Sequence, residues 1–180
     1  ALQLAQYARS DNVLEASIGM AAINSLVEID EARCGEENAF DLLVRQGKDR
    51  NIAVVGHFPW IPKLRSIASK LWVIEQKPQE GELSAEAAEE ILPQSDVVGI
   101  TGTSFINHTI ESLLDLSKNS FVVIVGPTTP LSPVLFDYGV DILAGVKVVE
   151  PNRTIHSISQ GAIFSQVEGV RFVTIAKERE

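Results

Sequence analysis

Ile52-Ala53-Val54-Val55-Gly56-His57-Phe58-Pro59 decides the fold: an apolar run breaks at a glycine into a polar elbow. The pattern returns at Ile100-Thr101-Gly102-Thr103-Ser104 and at Val125-Gly126-Pro127-Thr128-Thr129. Each elbow follows an apolar segment and precedes a helical pattern. The three therefore fall on one rim of a parallel sheet, where open α/β folds bind ligands. Residues 52–55 and 121–125 are apolar nearly throughout, as strands are when helices cover both sheet faces.

Working outward, strands and helices alternate along the chain. Helices are expected near 61–69, 84–92, 107–116 and 132–138. Strands are expected at 71–75, 96–101, 121–125, 141–149 and 170–176, with 155–164 weakly helical or irregular. Ahead of the first strand, Asn12 with Glu15 forms a capping-box start. Leu14, Ile18, Ala21, Ala22, Ser25 and Leu26 then share one face of a helix over about 12–28. A second helix runs over about 36–46 and stops at Gly47. The reading is an α/β fold: a Rossmann-like, mostly parallel sheet with helices on both faces, preceded by two N-terminal helices. Residues 1–47 form a helical segment, the remnant or linker of an upstream domain, and 48–180 form the Rossmann-like domain. The chain starts at Ala1 rather than Met, which suggests a processed or trimmed protein.

With 180 residues, 45% of them hydrophobic, the chain can bury a sizeable core. A net charge of −9, with its 15 basic residues scattered, opposes binding to a phosphate backbone, so nucleic acid is not an expected partner. No stretch reaches the roughly 18 apolar residues of a membrane span, and no secretory signal opens the chain. A cytoplasmic protein with no membrane partner is expected. The single cysteine, Cys34, excludes a disulfide framework within one subunit; it is a buried small hydrophobe or a reactive thiol.

The first elbow lacks the three glycines that let backbone approach a pyrophosphate, so a standard NAD site has no support. Glu75 lies 75 − 56 = 19 residues beyond Gly56 at the end of the next strand, where such folds place an acid against ribose hydroxyls. It could equally be solvated or pair with Lys77. Thr101-Gly102-Thr103-Ser104 with Asn107 offers hydroxyls, an amide and helix-start N–H groups suited to an anion or polar heterocycle. Capping by Thr103 or Ser104 alone is the structural alternative. Gly126-Pro127-Thr128-Thr129-Pro130 is a rigid loop that suits a pocket wall or a plain turn. Of the histidines His57, His108 and His156, only His57 sits on an elbow. Common hydrolase motifs, the His-Glu-x-x-His helix and the Gly-x-Ser-x-Gly elbow, do not occur. The carboxylates Glu89 and Glu90 read as a solvated helix face.

Taken together, the residues resemble a known family, the heavy-metal chelation domain. The resemblance is carried by Leu14-Glu15-Ala16-Ser17-Ile18-Gly19-Met20-Ala21-Ala22-Ile23-Asn24, Val55-Gly56-His57-Phe58-Pro59, and Ile100-Thr101-Gly102-Thr103 with Asn107-His108-Thr109. Gly126-Pro127-Thr128-Thr129-Pro130-Leu131 and Phe136-Asp137-Tyr138-Gly139-Val140 with Ala144-Gly145 complete it. The resemblance implies a Rossmann-like fold behind a small enolase-N-terminal-like domain, with a cleft between the two. On that likeness residues 15–24 correspond to the linking segment, the cleft being completed by another subunit if the chain is a short member. On the helical wheel Asn24 borders the apolar stripe and either points into such a cleft or is a helix-flank amide. The implied chemistry is metal chelation, although three histidines and one cysteine stand in no ligand spacing.

The expected function is binding of a small polar or anionic ligand, a metal or metal chelate among the candidates, at the carboxyl ends of the strands. Gly56, His57, Phe58 and Pro59 form one wall, Thr101, Gly102, Thr103 and Asn107 the floor, and Gly126, Pro127, Thr128 and Thr129 the other wall, with Glu75 taking a hydroxyl or amine. A divalent metal or its chelate is the candidate cofactor, and a homo-oligomer is a candidate assembly. The alternative is an enzyme acting on an adenosine-type or heterocyclic molecule, with His57 or Glu75 as acid/base. Gly102→Val is expected to abolish binding while leaving the fold largely intact.

Overall fold

The structure, a computed structural model, describes residues 1–35 and 38–178. Helices α1 (Leu2–Ala5), α2 (Val13–Leu26) and α3 (Ala39–Gly47) carry the N-terminal part, with the short strand β1 (Cys34–Gly35) between the last two. Then follow β2 (Asn51–Val55), α4 (Ile61–Arg65), β3 (Lys70–Glu75), β4 (Leu83–Ser84), α5 (Ala88–Ile91), β5 (Val97–Thr101) and α6 (Ile110–Leu116). The chain closes with β6 (Phe121–Val125), β7 (Ile142–Val148), α7 (Pro151–Ser159) and β8 (Val170–Ala176). Short 3-10 turns fill several connections, including Gln6–Arg9, Gly102–Phe105 and Pro133–Tyr138.

All eight strands form one sheet in the order β1-β8-β7-β6-β5-β2-β3-β4. Strands β2 to β7 are mutually parallel, whereas β8 runs antiparallel to β7 and β1 antiparallel to β8. Alternation along each strand divides the core into two layers. Ala53, Val98, Ile100, Val122 and Ile124 pack with α5 and α6, while Ile52, Val54, Val97 and Val123 pack with Leu42 and Leu43 of α3 and Leu64 of α4. Helices thus cover both faces, and α3 shares its core with the strands that follow it. The expected start of that helix at Glu36 lies outside the described residues; the helix described begins at Ala39, capped by the Asn38 side chain.

Helix α2 starts where expected, with Asn12 Oδ1 accepting from the Leu14 and Glu15 amides. The return arm of the capping box runs through a relay: Ser10 Oγ accepts from Asn12 N and donates to Glu15. The buried face differs from expectation. Leu14 is 75% and Ile18 51% exposed; of the expected face only Ala22 is buried, together with Ala16, Gly19 and Met20. Close approach explains this, because a Cβ on Gly19 would lie 1.9 Å from Ala8 N and 2.5 Å from Tyr7 C. Only small residues let the 3-10 turn at 6–9 lie so near the helix.

Other expected helices are shorter. Residues 61–69 give helix only to Arg65, and 107–116 only from Ile110, because His108 takes a left-handed conformation at φ 59°. Its Nε2 lies 3.0 Å from Ser10 O, which ties the N-terminal turn to the sheet. The segment 155–164, read as weakly helical or irregular, holds the end of α7, which starts at Pro151 as an N-terminal proline can.

Candidate functional site

Strand order marks the end of the sheet at which folds of this kind bind ligands. From β2 the chain moves outward to β3 and β4, returns to β5 beside β2, then moves the opposite way to β6 and β7. The reversal lies between β2 and β5, and open α/β sheets bind ligands outside the carboxyl ends of such strands. Register brings the elbows level: Val55 pairs with Ile74 and Ile100, Thr101 with Val125, and Val125 with Ala144. Contact between the first two elbows is close, since a Cβ on Gly56 would lie 2.9 Å from Thr101 Cβ. Gly56 and Gly126, at φ 116° and 130°, occupy conformations that favour glycine and turn the chain off the sheet.

The single hollow expected from the sequence is two cavities. A polar one of about 470 Å³ takes in Gly56, His57, Glu75, Thr101, Thr103 and Asn107 of the expected residues. An apolar one of about 400 Å³ takes in Phe58, Pro59, Gly126 and Pro127. The first elbow sends consecutive residues to different cavities. Asn24, Gly102, Thr128 and Thr129 line neither.

Those four form a packed joint instead. Asn24 Nδ2 donates to Thr128 O at 3.0 Å, so α2 is fastened to the third elbow. Thr129 is 3% exposed, and its hydroxyl, like Asn24 Oδ1, has no partner among the described residues. A Cβ on Gly102 would lie 2.7 Å from Thr129 N, so valine there displaces the third elbow rather than leaving the fold intact. The expectation for Gly102→Val is corrected accordingly.

In the polar cavity most hydroxyls are committed locally. Thr101 Oγ1 accepts from Thr103 N at 3.4 Å and lies 3.0 Å from Thr103 Oγ1. Ser104 Oγ donates to Thr101 O, and Asn107 Oδ1 accepts from Thr109 N and Oγ1. These bonds shape turns, but the residue that caps the turn Gly102–Phe105 is Thr101 rather than the Thr103 or Ser104 expected. Glu75 Oε2 accepts from Gln76 N at 3.0 Å.

Sequence reasoning missed the partner of His57. Its Nδ1 lies 2.5 Å from Oε1 of Glu82, a carboxylate only 8% exposed that also accepts from Gln79 N at 2.8 Å. The Gln79 amide first and the imidazole second hold the Glu82 carboxyl below its ordinary value. Opposite an ionised carboxylate, Nδ1 carries the ring proton, leaving the Nε2 lone pair of the neutral ring to accept a proton or bind a metal. No spacing signal points to Glu82, which lies in the irregular stretch before β4. Glu86 and Glu89 also border this cavity, so its ionisable lining is three glutamates and one histidine with no Lys or Arg. The Ser84 hydroxyl and its own amide keep Glu86 below the usual carboxylate value.

A resident heavy-metal cage does not fit. Among the described residues no three His, Cys, Asp or Glu side chains are placed to share an ion. Cys34 sits at the far end of the sheet near Glu31, where burial first and that charge second push its thiol up. Soft metals ask for sulfur or several imidazoles, and the rim offers one imidazole. No helix among the described residues is long and apolar enough to cross a membrane.

Two family profiles described as "Putative heavy-metal chelation" match, one over residues 38–177 and one over 1–27. The chain is similar to a crystal structure of a protein of unknown function from Desulfitobacterium hafniense DCB-2, with a TM-score of 0.84 and 34% identity, covering 96% of this chain and 73% of that one. A second, from Pyrococcus horikoshii, superposes with a TM-score of 0.87 at 26% identity, covering 98% and 74%. Among curated proteins it is 28% identical over 156 residues to an uncharacterized protein of Methanocaldococcus jannaschii, covering 82% of this chain and 60% of that protein's length.

Proposed function

The chain belongs to the "Putative heavy-metal chelation" family, and from that premise we propose that its polar rim cavity binds a metal already wrapped in a small organic chelator. The His57 imidazole supplies one further donor. The observation that carries this reading is the His57–Glu82 pair at the β2/β5 reversal: a carboxylate on one ring nitrogen is how proteins orient an imidazole that ligates through the other. A preformed chelate needs no protein cage, which suits a site with one nitrogen donor. Three glutamates and, among the described lining residues, no Lys or Arg favour a cationic or amine-bearing ligand over the anionic member of the polar or anionic class expected from the sequence. Glu75 takes an amine or hydroxyl of the chelator, and Thr103 and Asn107 contact its polar edge. The metal is cargo here. The net charge of −9 fits a partner that is neither nucleic acid nor an anionic surface, and the setting proposed is the cytoplasm.

A second reading, an enzyme acting on an adenosine-type molecule, is favoured by Gly56 and Glu75 lining one cavity at the reversal. There His57, held by Glu82, is the general base.

Untagged protein titrated with copper(II)–iminodiacetate, which keeps coordination positions open for an imidazole, separates the two. The copper electron paramagnetic resonance spectrum should show one nitrogen added from the protein, and His57→Ala should weaken binding about tenfold or more while His156→Ala does not. Stabilisation by adenosine nucleotides with no response to the copper complex would favour the enzyme reading. Equal binding by wild type and His57→Ala would remove the chelate proposal.

A further inference from the structure

The apolar cavity is built differently from the polar one. Its floor is a patch of sheet face on which register aligns Val125, Ala144 and Thr174 in one row and Val146 with Phe172 in the next. Two aromatic pairs border it. Phe58 and Trp60, from the loop after β2, stack at 4.5 Å and 14°. Phe164 and Phe172, the latter on β8, meet edge to face at 5.9 Å and 83°. Strand order sets β2 on one side of β6 and β7, and β8 on the other, so the pairs flank the floor from opposite sides. Gly126 and Ala144 leave the space between them open. Among the described residues the lining contains no ionisable side chain, and its polar side chains are Asn38, Ser165 and Thr174.

We infer that this cavity is a second binding site, for an uncharged planar aromatic or heteroaromatic molecule of one or two rings carrying a hydrogen-bonding group. A volume of about 400 Å³ lies within the range of small-molecule sites. A charged ligand would lose its hydration there without an opposite charge among the described lining residues to replace it. Flat aromatic ligands gain over aliphatic ones of equal size because four aromatic side chains line the cavity. The few polar side chains orient the ring. The inference does not rest on the metal-chelate reading, since the two cavities have no lining residue in common.

Phenol and its saturated counterpart cyclohexanol test it, because they share size and hydroxyl and differ in the ring. The chain has two tryptophans, so a Trp72→Phe background leaves Trp60 as the sole indole fluorophore, excited where phenol does not absorb. Phenol should change Trp60 emission in a saturable way and bind about fivefold more tightly than cyclohexanol by calorimetry, the equivalent of one aromatic contact worth about 1 kcal/mol. Val146→Phe, which fills the floor, should abolish the response. Phe172→Ala, at a side chain 60% exposed and so tolerable to the fold, should weaken it about fivefold. Equal affinity for the two alcohols would overturn the ring specificity. No binding of either, or phenol binding indifferent to both variants, would overturn the site. His57→Ala should leave phenol binding unchanged.

Discussion

Gly102→Ala isolates the contact between the second and third elbows. Gly102 is not in the left-handed region, so alanine suits its backbone, and the new methyl meets Thr129 N at 2.7 Å, Thr129 Oγ1 at 2.9 Å and Thr128 C at 3.1 Å. Two of these three atoms are backbone, so no rotamer change relieves the clash, and the third elbow must move. Forced repacking of this kind costs about 1–3 kcal/mol, partly offset by the lower unfolded-state entropy of alanine, about 0.4–1 kcal/mol. A net loss of about 1–2 kcal/mol lowers the melting temperature of a chain this size by about 2–8 °C. Urea unfolding should show a lower midpoint at unchanged slope. The Thr129 amide, which donates to Gly126 O at 3.1 Å, should exchange faster in the variant. Gly139→Ala is the comparison, because its methyl meets nothing within 4 Å and only the strain at φ 89° is felt. A Gly102→Ala protein within about 0.5 kcal/mol of wild type, with Thr129 exchange unchanged, would refute the packed joint.

The joint itself yields two further tests. Thr129→Val removes a buried unpartnered hydroxyl while keeping its shape, so stability should hold or rise by up to about 1 kcal/mol; a loss beyond that in denaturant titration would mean the hydroxyl is satisfied. Asn24→Asp should destabilise more than Asn24→Ala, because aspartate turns an acceptor toward Thr128 O while alanine also deletes the unpartnered Oδ1; the reverse order by thermal melting would contradict the hydrogen bond. Glu82 supplies a pH test: its carboxyl lies below the ordinary value of 4.5 in the folded chain, so its stabilisation is complete above that value and fades as pH falls through the folded one. The stability gap between wild type and Glu82→Gln should therefore close in acid, and a gap independent of pH would exclude this role.

The parallel core was legible because Ile52–Val55 and Phe121–Val125 are apolar on both sides, which requires cover on both faces. The direction of β8 was not, since nothing in its own residues encodes it; the return through α7 does. Leu14 and Ile18 misled on α2 because periodicity marks a stripe but cannot say that Gly19 meets Ala8 more closely than a large side chain permits. At the rim the elbows were found, whereas their division into two cavities depends on His57 and Phe58 pointing to different sides. Glu82 was invisible because its meeting with His57 spans a loop without pattern. Glu89, read as solvated, is exposed as expected and also borders the polar cavity.

Both margins of the eight-stranded sheet, β1 and β4, are two-residue stubs. Each stub covers only one end of a longer strand, Ile74 and Glu75 of β3 and Thr174 and Ile175 of β8, and along the remainder of those edges the charged Lys70 and Arg171 stand against an added ribbon. Among the described residues the defence against edge-to-edge fibre growth is therefore charge placed on the longer strands together with short covering strands, rather than full closure of the sheet.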